Sequence, residues 1–202
     1  NITARIGFGQ TNAGTTWRYA MFLRRQLLLA SALALTSKAR AQSDPWAELR
    51  TGAAMALLRH AIAPGTGDPA NFAVNDCSTQ RNLSAQGIAQ ASRIGTLFRE
   101  KGVAQARVFS SQWCRCLDTA KGLGLGPVEP QPLLNSFFGS PEDGRPQTQA
   151  LRAWMTGLPP GRLVVLVTHQ VNITGLTNIV PASGELLFVT ARAADPLTVI
   201  GR

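Results

Sequence analysis

The 202-residue chain predicts an α/β fold: a three-layer α/β/α arrangement around a mainly parallel central sheet, in a single small domain. Three observations predict it. Short apolar runs alternate with segments of helical period over roughly 160 residues, the signature of strands joined by crossover helices. Two of the runs, Ala53–His60 and Arg162–Thr168, are apolar on both faces, as central strands of parallel sheets are. Each run is followed or ended by a histidine, His60 and His169, and the chain has no others. Ligand crevices of open α/β sheets lie outside such strand ends.

The first 41 residues are set apart by charge. They hold Arg5, Arg18, Arg24, Arg25, Lys38 and Arg40 and no acidic residue. The whole chain carries +9, but the remaining fourteen basic and eleven acidic residues leave only +3 for residues 42–202. The basicity that would suggest a nucleic-acid partner therefore belongs to the N-terminal segment, and no such partner is expected. From Met21, a basic Met-Phe-Leu-Arg-Arg start, the apolar stretch Leu27–Leu35 and Ala39-Arg40-Ala41 read as a signal peptide over residues 21–41. The Arg24-Arg25 pair resembles a twin-arginine signal. The apolar stretch is shorter than the roughly 20 residues of a membrane span, so a periplasmic or secreted domain is expected, without a stable span. Residues 1–20 read as upstream sequence outside the fold, with Met21 the natural start.

Within 42–202, a short helical lead-in surrounds Trp46, and Ala53–His60 is the first strand. The Pro- and Gly-containing stretch Pro64–Asp76 predicts a long loop. Ser84 is a candidate N-cap for a helix through Glu100, with Ile88, Ala91, Ile94 and Phe98 at helical spacing and Gly102 as the stop. Arg107–Ser111 reads as a strand leading into a helix from about Gln112 to Lys121. Pro127–Arg145 predicts a short strand and a loop over the active face. Pro146–Thr156 predicts a helix with Leu151, Trp154 and Met155 inward. A helix begins near Val171, and Glu185–Thr190 and Leu197–Ile200 read as edge strands. No G-x-x-x-x-G-K-[ST] or strand-linked G-x-G-x-x-G is present, so nucleotide-loop functions have no support. Of the three cysteines, Cys114 and Cys116 are too close for an easy bridge, so Cys77 paired with one of them is expected in an oxidising compartment. A lone C-x-C is a weak metal motif, and neither metal nor cofactor is expected.

Candidate chemistry gathers at the predicted strand ends: Arg59 and His60 after the first, Ser110 and Ser111 after the second, His169 after Arg162–Thr168. Arg115 lies one turn into the following helix. Arginine forks match tetrahedral oxyanions, and a neutral imidazole is a nucleophile near neutral pH. A phosphoryl ligand suits such a set. Leu58-Arg59-His60, Ser110-Ser111-x-x-x-Arg115-x-x-x-Thr119-Ala120 and Val167-Thr168-His169, with Asn82-Leu83-Ser84-x-x-Gly87, resemble the histidine phosphatase (phosphoglycerate-mutase-like) superfamily over roughly 53–200. The resemblance implies that His60 becomes phosphohistidine, that Arg59 and Arg115 bind the phosphate, and that His169 stabilises the transferring group. It implies no metal. The small size and export signal look closest to compact bacterial envelope members, among them phosphatases proposed to act on lipopolysaccharide core heptose phosphate.

Two positions depart from the family pattern. Ala61 replaces the glycine of Arg-His-Gly, and Asn135 stands where many members carry a general-acid glutamate. Asn135 cannot protonate a leaving group, so Asp143 or Glu142 is the first expected substitute, and Asp76 the second. A leaving group that needs no acid, such as the nitrogen of phosphohistidine, is the remaining option. Arg81 and Asp76 are also candidate substrate contacts, although a solvated loop charge explains Arg81 as well. The expected function is an exported, metal-independent phosphohydrolase acting on a phosphomonoester, such as an envelope sugar phosphate. The alternative is a non-catalytic phosphate- or phosphosugar-binding module that has lost its acid. Neither the oligomeric state nor the natural substrate is legible.

Overall fold

The computed structural model describes residues 44–190 and 194–202; the signal-type segment and residues 1–20 lie outside the described residues. Eleven helices and strands run in the order α1 (Pro45–Thr51), β1 (Ala54–Arg59), α2 (Ala85–Glu100), β2 (Arg107–Ser110), α3 (Cys114–Leu123), β3 (Val128–Pro130), α4 (Gly144–Thr156), β4 (Val164–Thr168), α5 (Gln170–Thr177), β5 (Leu186–Thr190) and β6 (Val199–Gly201), among the described residues. One six-stranded sheet has the order β3-β2-β4-β1-β5-β6. The four strands from β3 to β1 are parallel, and β5 and β6 join antiparallel.

Every residue of β4 and the first five of β1 are buried. Alternate side chains of these strands enter two cores. Ala56, Leu58, Val165 and Val167 pack with Leu49, Phe98, Cys116 and Leu123 from α1, α2 and α3. Met55, Leu57, Val164 and Leu166 pack with Leu151, Met155, Ile173 and Leu176 from α4 and α5. The expected three-layer sandwich is thus observed, mostly parallel. One strand departs from expectation. β5 is not an edge strand but lies between β1 and β6, which explains the burial of Leu187, Phe188 and Val189.

The inward face of α2 also differs from the apolar spacing. Ile88 is 61 % exposed, and the buried face is Gly87, Ala91, Gly95 and Phe98. A Cβ at Gly87 would lie 2.1 Å from the Ile62 carbonyl oxygen, and one at Gly95 2.1 Å from that of Leu123. Backbone approach, not apolar bulk, selects this face. It presses α2 against the segment that leaves β1. Ser84 caps the helix as expected, its hydroxyl accepting from Gly87 N at 3.1 Å.

Candidate active site

β4 lies between β1 and β2, so three strand ends meet at one place. Arg59 pairs in register with Thr168, and His60 N donates to Thr168 O at 2.9 Å. Ser111 N donates to Val167 O from the other side, also at 2.9 Å. The histidine rings are consequently 5.5 Å apart, centre to centre. They face a cavity of about 680 Å³ whose wall includes Arg59, Asp68, Arg81, Arg115, Trp113 and Phe138.

The His60 ring is oriented from behind. Its Nδ1 lies 2.8 Å from Ala61 O, an atom that only accepts, so Nδ1 carries the proton and Nε2 keeps its lone pair. Ala61 is itself fixed, because its N–H donates to Thr119 Oγ1 at 3.0 Å. Ile62 N donates to Gln90 Oε1 at 3.0 Å, and Ser84 N to Ile62 O at 3.1 Å. Burial, together with the charges of Arg115, Arg81 and Arg59, pushes His60 down to about 3 against the hydrogen bond to Ala61. Burial and the same arginines, with His60 itself, hold His169 well below its ordinary range. Both rings are neutral near pH 7. His169 Nε2 meets Ser111 Oγ at 2.8 Å and Cys116 Sγ at 3.4 Å. Ser111 Oγ donates its one proton to Asn135 Oδ1 at 3.2 Å, so His169 Nε2 carries the ring proton and donates to the serine.

Arg115, buried, is braced by a carboxylate that sequence reading did not single out. Its Nη1 and Nη2 meet Asp68 Oδ1 and Oδ2 at 2.6 and 3.1 Å. Trp113 Nε1 donates to Asp68 Oδ2 at 2.9 Å, and Arg81 N to Oδ1 at 3.3 Å. Burial opposes ionisation of Asp68, but the hydrogen bonds from Arg115 and Trp113 and the Arg115 charge outweigh it and keep its pKa below the ordinary value. The brace uses the end of the guanidinium and leaves its side edge free. Arg115 Nε is buried without a partner, and so is Arg59 Nε, while Arg59 Nη1 donates to Pro181 O at 2.8 Å. Such donors cost about 1–3 kcal/mol each when left unpaired. Arg81 joins them, held by the carbonyls of Gly67 and Ala63.

The structure therefore brings together Arg59, His60, Arg81, Arg115 and His169 around one cavity. It does not bring the expected acids there. Glu142 and Asp143 sit exposed in a 3-10 turn, and Asp76 is exposed with its carboxylate capping Ser78 N at 2.9 Å. None of the three lines the cavity; among the described residues Asp68 is the only carboxylate that does. Asn135 turns its amide oxygen to Gln112 N at 2.9 Å and to Ser111 Oγ at 3.2 Å. It thus holds the serine that touches His169. The disulfide is Cys77–Cys114, which ties the long loop to the start of α3 and leaves Cys116 free and buried. Burial pushes the Cys116 thiol up to about 12, so it stays protonated. Among the described residues no cluster of three or more His, Cys, Asp or Glu could hold a metal, and no helix is long and apolar enough to cross a membrane.

No family model matches the chain, and no curated protein matches it. Solved structures do. A protein assigned as the phosphohistidine phosphatase SixA from Agrobacterium tumefaciens aligns over 74% of this chain and 96% of its own, with 17% identity and a TM-score of 0.53. The product of an open reading frame of Mycobacterium tuberculosis aligns over 72% of this chain and 94% of its own, with 19% identity and a TM-score of 0.52. A mutant phosphoserine phosphatase from Entamoeba histolytica, solved with phosphoserine, covers the same shares with 15% identity and a TM-score of 0.51. The chain shares the fold of these solved structures.

Proposed function

We propose that the chain hydrolyses phosphomonoesters through a phosphohistidine formed at His60. The observation that carries this reading is the bare Nε2 of His60 in one cavity with Arg59, Arg81 and Arg115. The charges lining that cavity support it. Arg59, Arg81 and Arg115 against Asp68 leave +2, which a phosphate dianion neutralises. In the reaction Nε2 attacks phosphorus as the P–O bond to the leaving group breaks. Arg59 and Arg115 hold the equatorial oxygens, where phosphoryl-transfer charge is spread. Water then attacks the phosphohistidine and returns the imidazole and inorganic phosphate.

Asp68 is held as an anion by Arg115, which makes it a poor proton donor. The proposed enzyme therefore favours substrates whose leaving group needs little protonation, such as aryl phosphates or the nitrogen-linked phosphate of phosphohistidine. The name of the Agrobacterium neighbour fits that preference. An envelope sugar phosphate stays in the proposal as a slower class of substrate. The signal-type segment 21–41 and the Cys77–Cys114 disulfide support export to an oxidising compartment. Fractionation of cells expressing the full chain checks this: export puts a shortened chain outside the cytoplasm, and a full-length chain confined to the cytoplasm overturns it.

Turnover of p-nitrophenyl phosphate in excess chelator, by wild type and His60→Ala, tests the activity. Hydrolysis lost in the variant supports it. The second reading, a non-catalytic phosphate-binding module, is favoured by Asn135 at the family's acid position. It predicts phosphate binding that Arg59→Ala abolishes and no turnover by wild type at any pH.

A further inference from the structure

The two histidines of the cavity carry their ring protons on opposite nitrogens, and one uncharged side chain decides the second. Gln112 fixes the orientation of Asn135. Its backbone N, which can only donate, lies 2.9 Å from Asn135 Oδ1, and Asn135 Nδ2 donates to Gln112 Oε1 at 2.8 Å. The amide oxygen is therefore the atom that meets Ser111 Oγ at 3.2 Å. Two oxygens at that distance need a proton between them, and only the serine has one to give. Trp113 N donates to Ser111 Oγ at 3.2 Å and takes one of its two lone pairs. The other is left for His169 Nε2 at 2.8 Å, which must then carry the ring proton.

His60 is the reverse tautomer, with Nδ1 protonated against Ala61 O and Nε2 bare. In neutral His169 the bare nitrogen is Nδ1. Among the described residues no nitrogen or oxygen donates to it, and Cys116 Sγ is 4.0 Å away. A ring whose one proton is committed to Ser111 has none to give a ligand. His169 lines the cavity with its ring centre 5.5 Å from that of His60, and is thus set to accept a proton there, not to donate one. A carboxylate at position 135 would accept the same two hydrogen bonds, but its charge would favour the His169 cation. The amide fixes the tautomer and leaves the ring neutral.

We propose that Asn135 is a positioning residue: through Ser111 it holds His169 as the Nε2–H tautomer, and His169 is the base that activates water in the second half of the reaction. This rests on the reading of His60 as the phosphoryl acceptor. As the water oxygen bonds to phosphorus, the bond from phosphorus to His60 Nε2 breaks and its electron pair returns to that nitrogen. One water proton passes to His169 Nδ1 and then to the departing phosphate. Burial, then the charges of Arg115, His60, Arg81 and Arg59, disfavour the His169 cation before phosphate binds. The cavity also holds Asp68, and the protonated Cys116 thiol lies 3.4 Å from His169 Nε2. Bound phosphoryl oxygens offset the arginine charges and let the ring take the proton.

Nitrogen-15 NMR of the untagged chain tests this, since it has only two histidines and His60→Asn leaves the signals of His169 alone. Near pH 7, long-range proton–nitrogen correlations should show His169 protonated on Nε2 and bare on Nδ1, the reverse of His60. His169 protonated on Nδ1 overturns the proposal whatever the activity. Asn135→Ala frees the serine proton to turn to Nε2, so the tautomer should switch. Its kcat for p-nitrophenyl phosphate, whose good leaving group makes the second half limiting, should fall on the order of 10²-fold, the lower end of general-base contributions, with KM changed less. Asn135→Asp keeps the shape and should keep the tautomer, but should move the protonation of His169 and the acid limb of the kcat profile together to higher pH. That variant decides if Asn135→Ala fails to fold. An unmoved tautomer in Asn135→Ala, or an unmoved acid limb in Asn135→Asp, overturns the positioning role. The expected tautomers with no phosphate trapped on His60 would sink the hydrolase reading, and phosphate trapped there with the other His169 tautomer would sink this inference alone.

Discussion

The two sides of the active cavity are held by different means. His60 and His169 stand at the ends of adjacent parallel strands, both buried and in register, with Thr119 and Ala61 fixing the His60 ring. Opposite them, Asp68 and Arg81 come from the long loop between β1 and α2, whose position depends on single contacts: the Asp68–Arg115 pair, carbonyls on Arg81, and the Cys77–Cys114 bridge. The strand-end side gains its geometry from the core of the fold. The loop side must be fastened residue by residue. Substitutions on the first side should therefore remove chemistry, whereas those on the second should loosen ligand binding and stability.

The largest effect belongs to the strand ends. His60→Ala should lower kcat/KM for p-nitrophenyl phosphate by at least about 10⁴-fold, as loss of a nucleophile does elsewhere, with phosphate still bound. A loss confined to KM would break the contrast. Next is the bridge across the loop. Cys77→Ser with Cys114→Ser removes a link closing a 37-residue separation, for which chain entropy gives up to about 4 kcal/mol. Calorimetric unfolding should show a lower Tm, and kinetics a raised KM with kcat changed less. Asp68→Ala leaves Arg115 buried without its counter-charge. Loss of a buried partner costs about 3–5 kcal/mol, and the slight exposure of Asp68 puts this pair at the lower end. Urea titration measures that cost. Phosphate affinity should weaken because Arg115 loses its orientation; tighter phosphate binding would instead make Asp68 a competitor for the site.

Acidity gives a further separation. His60 is held neutral down to about 3, whereas an unfolded histidine takes up its proton near pH 6.5. Between those values the unfolded state binds more protons, so stability is full above about 6.5 and is lost as pH falls toward 3. His169 is shifted in the same direction and adds to the slope. Unfolding at graded pH should show it, and His60→Asn should flatten it. The smallest effect lies on α2. Ile88→Lys should change stability by less than about 0.5 kcal/mol, as exposed positions do, while Gly87→Ala drives a methyl into the Ile62 carbonyl and disturbs the backbone behind His60.

The strand-end side was legible in the sequence because its signals are local. An apolar run ending in Arg59-His60 or Thr168-His169 states both the strand and the place of its last side chains. The loop side was not, since Asp68 has no periodic neighbours and acquires its role from Arg115, 47 residues away. Acidic residues near Asn135 in sequence, Glu142 and Asp143, looked better placed than they are, because the chain between turns them outward into the 3-10 segment. Ile88 misled for a related reason. Helical spacing marks bulky apolar residues, whereas α2 docks through glycines that let backbones approach. β5 read as an edge because nothing in Glu185–Thr190 announces that β6 will pair beyond it.

The central claim is that His60 Nε2 takes the phosphoryl group. Mixing the chain with a labelled aryl phosphate, quenching within the first turnovers and locating the label by mass spectrometry tests it directly. The account predicts acid-labile, base-stable phosphate on His60 in wild type and none in His60→Ala. Phosphate found on another residue, or undiminished turnover by His60→Ala, would contradict it.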